Sequence, residues 1–197
     1  MNNDIDIRVI RTKKLIKEAF LDLMETEGFE KINIQMLTNK AMIGRTTFYL
    51  HYFDKYDLLN QIENDVLDDF QSIAKNISGL ATVKDGLNSP IPRAILLEIY
   101  NYVKDNQKLF KLLLQDKGDL SFFFKLNETM KDVMFKKVAH SELAIPQHYV
   151  TSFAMGIHTS IMNEWLKTGL KESPEEIVTM ITHVMNDVPK NLFKKIE

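Results

Sequence analysis

The sequence predicts an all-α protein of about nine helices, divided into a small N-terminal helical domain and a larger C-terminal helical bundle. Three observations carry that expectation. Apolar residues recur at helical spacing along most of the chain, and no stretch alternates with a period of two as a half-buried strand would. The breaks in the helical pattern fall at Gly, Pro, Asn and Asp, the residues that punctuate helices. The 197 residues, 45% hydrophobic and 26% charged, have an ordinary globular composition and enough length for one or two cores.

Residues 1–9 are mostly polar and are expected to fray. A first helix is expected over 10–27, with Ile16, Ala19, Phe20 and Leu23 on one face and Gly28 placed as a C-cap glycine. Phe29 and Ile32 then bracket a connection that packs beneath the next two helices. Asn33 suits the N-cap of a second helix over 34–41, whose Ile34, Leu37 and Ala41 fall at i, i+3 and i+7. The pattern stops at Met42-Ile43-Gly44. It resumes at Arg45 for a short third helix over 45–52, with Phe48 and Tyr52 on one side. A fourth helix starts near Asp54-Lys55 and runs to about residue 77 on a stripe of Leu58, Leu59, Ile62, Val66, Phe70 and Ile73. Asp65, Asp68 and Asp69 on it read as a solvated face rather than a metal site.

Gly79, Gly86, Pro90 and Pro92 punctuate a long connection over 78–92. Helices five, six and seven are expected over 92–104, 106–115 and 119–139. Pro146 opens an eighth over 146–168, ended by Gly169. Ser173-Pro174-Glu175-Glu176 joins an N-cap serine, a proline at the first helical position and a glutamate three residues after the cap, a capping box. The ninth helix follows to about Asp187 on Ile177, Met180, Ile181, Val184 and Met185. The basic tail from Val188 is expected to be loose.

The chemistry concentrates between Asn33 and Leu59, which reads as a helix-turn-helix. A helix as short as the third cannot persist in water alone, so Phe48 and Tyr52 must dock it on its neighbours. Its other side then presents Arg45, Thr46, Tyr49, Leu50 and His51, a composition suited to phosphates and base edges. Gln35, near the N-terminus of the second helix, is a further phosphate candidate because backbone amides there favour anions. For single residues the plainer readings stay open: Thr47 as a local backbone bonder, His51 as a partly buried spacer.

The run Thr47-Phe48-Tyr49-Leu50-His51-Tyr52-Phe53-Asp54-Lys55-Tyr56-Asp57-Leu58-Leu59 resembles the N-terminal signature of TetR-type (TetR/AcrR) transcriptional regulators, T-[FY]-Y-x-H-[FY]-x-x-K-x-x-L-[LI]. Two turn positions depart from it: Met42 stands where that family usually carries Gly, and Gly44 where it usually carries Ser. The resemblance is close over 10–60 and looser beyond. It implies that Arg45, Thr46, Tyr49 and Leu50 face the major groove. Arg45 is then the candidate for a guanine, and Thr46 or Leu50 for a thymine methyl. It also implies that Thr47, Tyr49, His51 and Lys55 meet the DNA backbone. The expected domains are 1–53 for DNA binding and 54–197 for effector sensing and dimerisation.

Two further expectations concern the C-terminal domain. Tyr149, Phe153, Gly156, Ile157, Ser160 and Ile161 line one face of the eighth helix. With Ile177, Met180, Ile181 and Val184 of the ninth, they are the candidate homodimer interface, since the resemblance implies a four-helix bundle across a two-fold axis; closure of the monomer core is the alternative. Tyr100, Tyr102, Phe110, Phe123, Met130, Met155, His158 and Trp165 are candidates to line a pocket for a small apolar or amphipathic effector, or to be plain core. Glu164-Trp165-Leu166-Lys167 and the stretch from Gly169 to Glu176 resemble the branch containing dihydroxyacetone-responsive regulators, in which a protein partner can convey the signal.

Composition bounds the remaining classes. There are no cysteines, which excludes disulfides and thiolate metal sites. No secretory signal or run of about 18 apolar residues is present, so a cytoplasmic protein without a membrane partner is expected. The net charge of −2 does not announce a nucleic-acid binder. What could serve is placement: Arg8, Arg11, Lys13, Lys14 and Lys17 gathered beside Lys40, Arg45, His51 and Lys55 would make one basic face. No zincin, P-loop or dinucleotide motif occurs, and His51, His140, His148, His158 and His183 lack ligand spacing. No enzyme, cofactor or metal is expected. The expected function is a ligand-responsive repressor acting as a homodimer on a palindromic operator. The alternatives are a helical adaptor that keeps the fold without operator binding, or a regulator that activates through a protein partner.

Overall fold

Nine helices form among the described residues, 7–78, 90–114, 120–135 and 146–187 of a computed structural model. They are α1 (Ile7–Thr26), α2 (Ile34–Ala41), α3 (Arg45–Tyr49), α4 (Lys55–Ser78), α5 (Pro90–Asp105), α6 (Gln107–Leu114), α7 (Leu120–Phe135), α8 (Gln147–Lys167) and α9 (Pro174–Asp187). One 3-10 turn, Phe29–Lys31, links α1 to α2. No strand occurs among the described residues, and none of their helices is long and apolar enough to cross a membrane. The contacts divide the chain into two units inside α4, between Val66 and Leu67.

In the first unit the predicted stripes face inward. Ile16, Phe20 and Met24 of α1, Leu37 of α2, Phe48 of α3 and Leu58 of α4 are fully enclosed. Local chemistry sets the helix ends. Asn33 caps α2, its side-chain oxygen accepting from the Met36 amide at 3.0 Å. The buried Thr38 hydroxyl satisfies itself by donating to the carbonyls of Ile34 and Gln35, at 2.9 and 3.2 Å. Met42 ends α2 in the left-handed region (φ 54°, ψ 44°), while the Ile43 amide reaches back to the Thr38 carbonyl at 3.0 Å. Asp54 opens α4 by accepting from the amides of Tyr56 and Asp57, and Asp57 reaches back to the Phe53 amide at 2.9 Å. That cap makes α3 shorter than the 45–52 expected: after Tyr49 the chain closes through a His51 amide to Phe48 carbonyl bond and turns into α4.

The second unit is built from α5 to α9 and the rest of α4. Phe70 of α4 stacks on Phe110 of α6 at 5.9 Å, with Tyr102 of α5 edge-on to both. Tyr100 of α5 lies against Trp165 of α8 at 5.5 Å, and α9 packs on α5 and α8. Helix α5 starts at Pro90, earlier than expected, and absorbs both prolines in its first turn, where the missing amides have no helical partner to lose. At the start of α9 the Ser173 hydroxyl accepts from the Glu176 amide, and the Glu176 carboxylate accepts from the Ser173 amide at 2.7 Å, so the predicted capping box forms. Helix α1 begins at Ile7 rather than after a frayed 1–9, and α7 is described as far as Phe135. Most of the long connection, residues 79–89, and the tail from Val188 lie outside the described residues.

Candidate nucleic-acid interface

The site grows from a docked, very short helix. Phe48 is fully enclosed and Tyr52 nearly so, their rings 5.6 Å apart, and these two anchor α3 to the unit's core. Burial pushes the Tyr52 hydroxyl up to about 12, with the Asp65 and Asp57 carboxylates adding to the rise, so it stays a neutral donor. With that side committed, Arg45 and Thr46 are exposed, Tyr49 is 55% exposed and Leu50 is 76% exposed. Thr47 and His51 sit at intermediate depth on the flanks. The Tyr49 ring meets Phe48 edge-on at 5.6 Å. An α3 held this way presents an arginine fork, a hydroxyl, a phenol and an aliphatic side chain, the groups that read base edges and phosphates in a major groove. Gln35 is exposed at the start of α2, its amide nitrogen donating to Asn39 Oδ1 at 2.7 Å.

Lys55 has more to do than the sequence suggested. Its Nζ donates to the Phe29 carbonyl at 3.0 Å and the Glu30 carbonyl at 2.9 Å. It also sits 4.7 Å from the Phe29 ring centre and 5.4 Å from that of Tyr56. The ammonium therefore ties the 3-10 turn to the start of α4 and keeps one of three donors for anything outside. Two other cations of the expected basic face have carboxylate partners: Lys14 with Glu18 at 3.9 Å and Lys40 with Asp22 at 3.3 Å. Lys13 approaches the Tyr52 ring, 6.0 Å from its centre. Those pairs shrink the expected basic face.

In the second unit the expected pocket residues are mostly enclosed. Tyr100, Phe110, Met130, Met155, His158 and Trp165 are buried, Tyr102 is intermediate and Phe123 is 38% exposed. Trp165 donates its indole N–H to the Glu172 carbonyl at 3.0 Å, and Tyr102 gives its hydroxyl to Asp69 at 2.6 Å. Asp69 thus has a partner the expected solvated face did not foresee. His158 Nδ1 is buried with no hydrogen-bond partner among the described residues, and burial holds the imidazole down at about 4, hence neutral. Burial also pushes the Tyr100 hydroxyl up.

The expected dimer face splits. Tyr149, Phe153, Gly156 and Ser160 of α8 are exposed at i, i+4, i+7 and i+11, one continuous side, with Ile157 and Ile161 at its half-buried edge. On α9, Met180 and Val184 are exposed at 47% and 37%, but Ile177 and Ile181 are buried in the unit's own core. Those two isoleucines correct the expectation. Helical spacing grouped them with Met180 and Val184, yet they form the inward half of the stripe.

Residues 92–187 match the TetR-type family described as the transcriptional regulator C-terminal region. Among curated proteins, the uncharacterised HTH-type transcriptional regulator YxbF of Bacillus subtilis is 24% identical over 164 residues, covering 82% of this chain and 41% of that protein. The dhaKLM operon transcriptional activator DhaS of Lactococcus lactis is 29% identical over 136 residues, covering 68% of this chain and 66% of that protein. In both cases the match spans less than two thirds of the relative's length. A TetR transcriptional regulator from Streptococcus agalactiae shares the fold, with a TM-score of 0.66, 23% identity and coverage of 91% of this chain and 96% of that one. The all-helical architecture and the matched C-terminal region agree: residues 92–187 belong to the TetR-type regulator C-terminal family, in a chain that shares the fold of a TetR regulator.

Proposed function

We propose that the protein is a sequence-specific DNA-binding regulator that acts as a homodimer on a palindromic operator and is released from it by a small effector. The observation that carries this reading is α3. A five-residue helix has no stability of its own, and here it is anchored by Phe48 and Tyr52 with Arg45, Thr46, Tyr49 and Leu50 turned outward. Arg45 takes a guanine, and Thr46 or Leu50 a thymine methyl. Gln35, Thr47, Tyr49 and His51 meet the backbone, with the remaining donor of Lys55 beside them. The exposed side of α8 and the Met180–Val184 edge of α9 pair the protomers. Two half-sites read together supply specificity that one short helix cannot.

Effector binding among the aromatic and methionine side chains of the second unit would act through α4, which is continuous from Lys55 to Ser78. A shift of that helix changes the spacing of the two recognition helices, and both half-sites must fit at once. A second reading, activation rather than repression, is favoured by one observation: the Lactococcus lactis relative is an operon activator. A reporter driven by a bound promoter separates them. Deleting the regulator raises expression if it represses and lowers it if it activates. Failure of the purified protein to enrich any sequence from a random DNA library would instead favour the adaptor reading.

A further inference from the structure

Among the described residues, two other than glycine occupy the left-handed backbone region, Met42 (φ 54°) and Leu170 (φ 56°). Both sit just past the end of a helix, and in both cases the amides close the helix with back-reaching bonds. The Met42 amide meets the Asn39 carbonyl at 3.2 Å, and the Leu170 amide meets the Trp165 carbonyl at 2.9 Å. For a side chain bearing a Cβ this conformation is strained, and it persists where something else offsets it. For Leu170 the offset lies inside the protein, because its side chain is partly enclosed. For Met42 the back-reaching amide bonds are the offset within the turn, and its side chain, 87% exposed, adds no packing to them. The strain at Met42 therefore stands without repayment by packing in the free protein.

Its position says where repayment can come from. Met42 lies in the turn of the helix-turn-helix, three residues before Arg45, and it follows Gln35 and Asn39 at spacings of seven and three along α2. A flexible, polarisable thioether chain at that point can fold onto apolar surface of a duplex docked on α3. We propose that Met42 is a DNA-contacting residue, which buries its side chain against thymine methyls or deoxyribose at the edge of the groove and so sharpens affinity for the preferred site. The inference rests on the DNA-binding reading given above. It adds a residue outside the recognition helix, recruited through its backbone strain and exposure. Because the contact is apolar, it releases no counterions and leaves the salt dependence unchanged.

The test uses the full-length protein and a duplex recovered from a random library with the wild type. Met42→Gly and Met42→Asn both tolerate the left-handed conformation and remove the thioether, while Met42→Leu keeps an apolar chain. Burial of about 60 Å² of apolar surface corresponds to roughly tenfold in affinity, so the Gly and Asn variants should bind about tenfold more weakly and the Leu variant within about twofold of wild type. The slope of log affinity against log salt should be the same for all four proteins. Relief of strain should raise the unfolding midpoint of Met42→Gly by about 2–4 °C. Uracil in place of thymine in the duplex then separates the two sources. If it weakens the wild type and not Met42→Gly, the contact is to a methyl; if it weakens neither, it is to deoxyribose. Equal affinity of the Gly and Asn variants and wild type would overturn the proposal, as would a loss confined to Met42→Gly or a changed salt slope. A lower midpoint for Met42→Gly would overturn the premise of strain unrepaid by packing. Recovery of no duplex by the wild type would overturn the DNA-binding reading itself, an outcome distinct from all of these.

Discussion

Lys55→Met tests how the N-terminal unit holds its 3-10 turn against the start of α4. The substitution keeps most of the apolar stem and removes the ammonium. What is lost can be counted: bonds of 3.0 and 2.9 Å to the carbonyls of Phe29 and Glu30, and the positions over the Phe29 and Tyr56 rings. A hydrogen bond from a charged donor contributes about 1.5–3 kcal/mol when well buried, and an exposed cation–π contact about 0.5–1 kcal/mol. Lys55 is only half-buried and Glu30 is exposed, so water can take over part of the work, and the net cost should be about 1–2 kcal/mol. The loss is local to the turn between α1 and α2. The sensitive readout is therefore amide hydrogen exchange at Lys31 and Ile32, whose N–H groups bond the carbonyls of Gly28 and Phe29 at 3.2 Å each. Opening of that turn should become roughly 5- to 30-fold more frequent. The single tryptophan, Trp165, belongs to the second unit, and its fluorescence should report little change there. The reasoning would be refuted if exchange at Lys31 and Ile32 were unchanged while DNA binding lost about one unit of salt slope, the signature of a lysine that serves a phosphate alone.

Other perturbations probe other parts of the account. Arg45→Ala should cost about 1–3 kcal/mol on the preferred sequence and relax the choice of base at one position, read by repeating the library selection with the variant. Ser173→Ala removes the cap on α9 and should destabilise the second unit by about 1 kcal/mol in urea unfolding followed by Trp165 fluorescence. In the wild type the two Ser173 bonds hold the Glu176 carboxyl below its usual value. That contribution is present above the unfolded carboxyl value and is lost as pH falls through the lowered one, so the deficit of Ser173→Ala should narrow in acid. His158 acts in the same direction for a different reason, burial of a neutral imidazole. Its folded value of about 4 lies below the 6.5 of an unburied imidazole, so between those limits the unfolded chain takes up the proton first, and stability falls as pH falls. Between pH 7 and 5.5 this should cost about 1 kcal/mol, and His158→Leu should flatten that part of the stability profile.

The sequence carried the existence of every helix because each has its own periodicity and its own punctuation. Asn33, the Ser173–Glu176 box and Gly169 all end or begin helices by chemistry visible within four residues. The docking of α3 was legible for the same reason, since Phe48 and Tyr52 are four apart on a helix too short to stand alone. What escaped reading depends on groups distant in the chain or on the two edges of one stripe. The Lys55 ammonium bonds carbonyls 25 and 26 residues away, and no local pattern announces a side chain that reaches into another element's turn. On α9 the spacing of Ile177, Met180, Ile181 and Val184 defines a broad apolar side without saying which edge the neighbouring helices cover. Packing puts the isoleucines inside and leaves the other two out. Ion pairs such as Lys40 with Asp22 similarly subtract from a basic face that a count of charges would include.

Sequence-specific recognition through α3 is tested by a random-library DNA selection with purified protein, followed by mobility-shift titrations of the recovered duplex at two salt concentrations. The selection should recover a palindromic sequence whose half-sites lie about one helical turn apart. Binding to it should be saturable, survive excess non-specific DNA and weaken with salt in proportion to the phosphates contacted. No enrichment, together with binding no tighter than to random duplex even at low salt, would contradict such recognition.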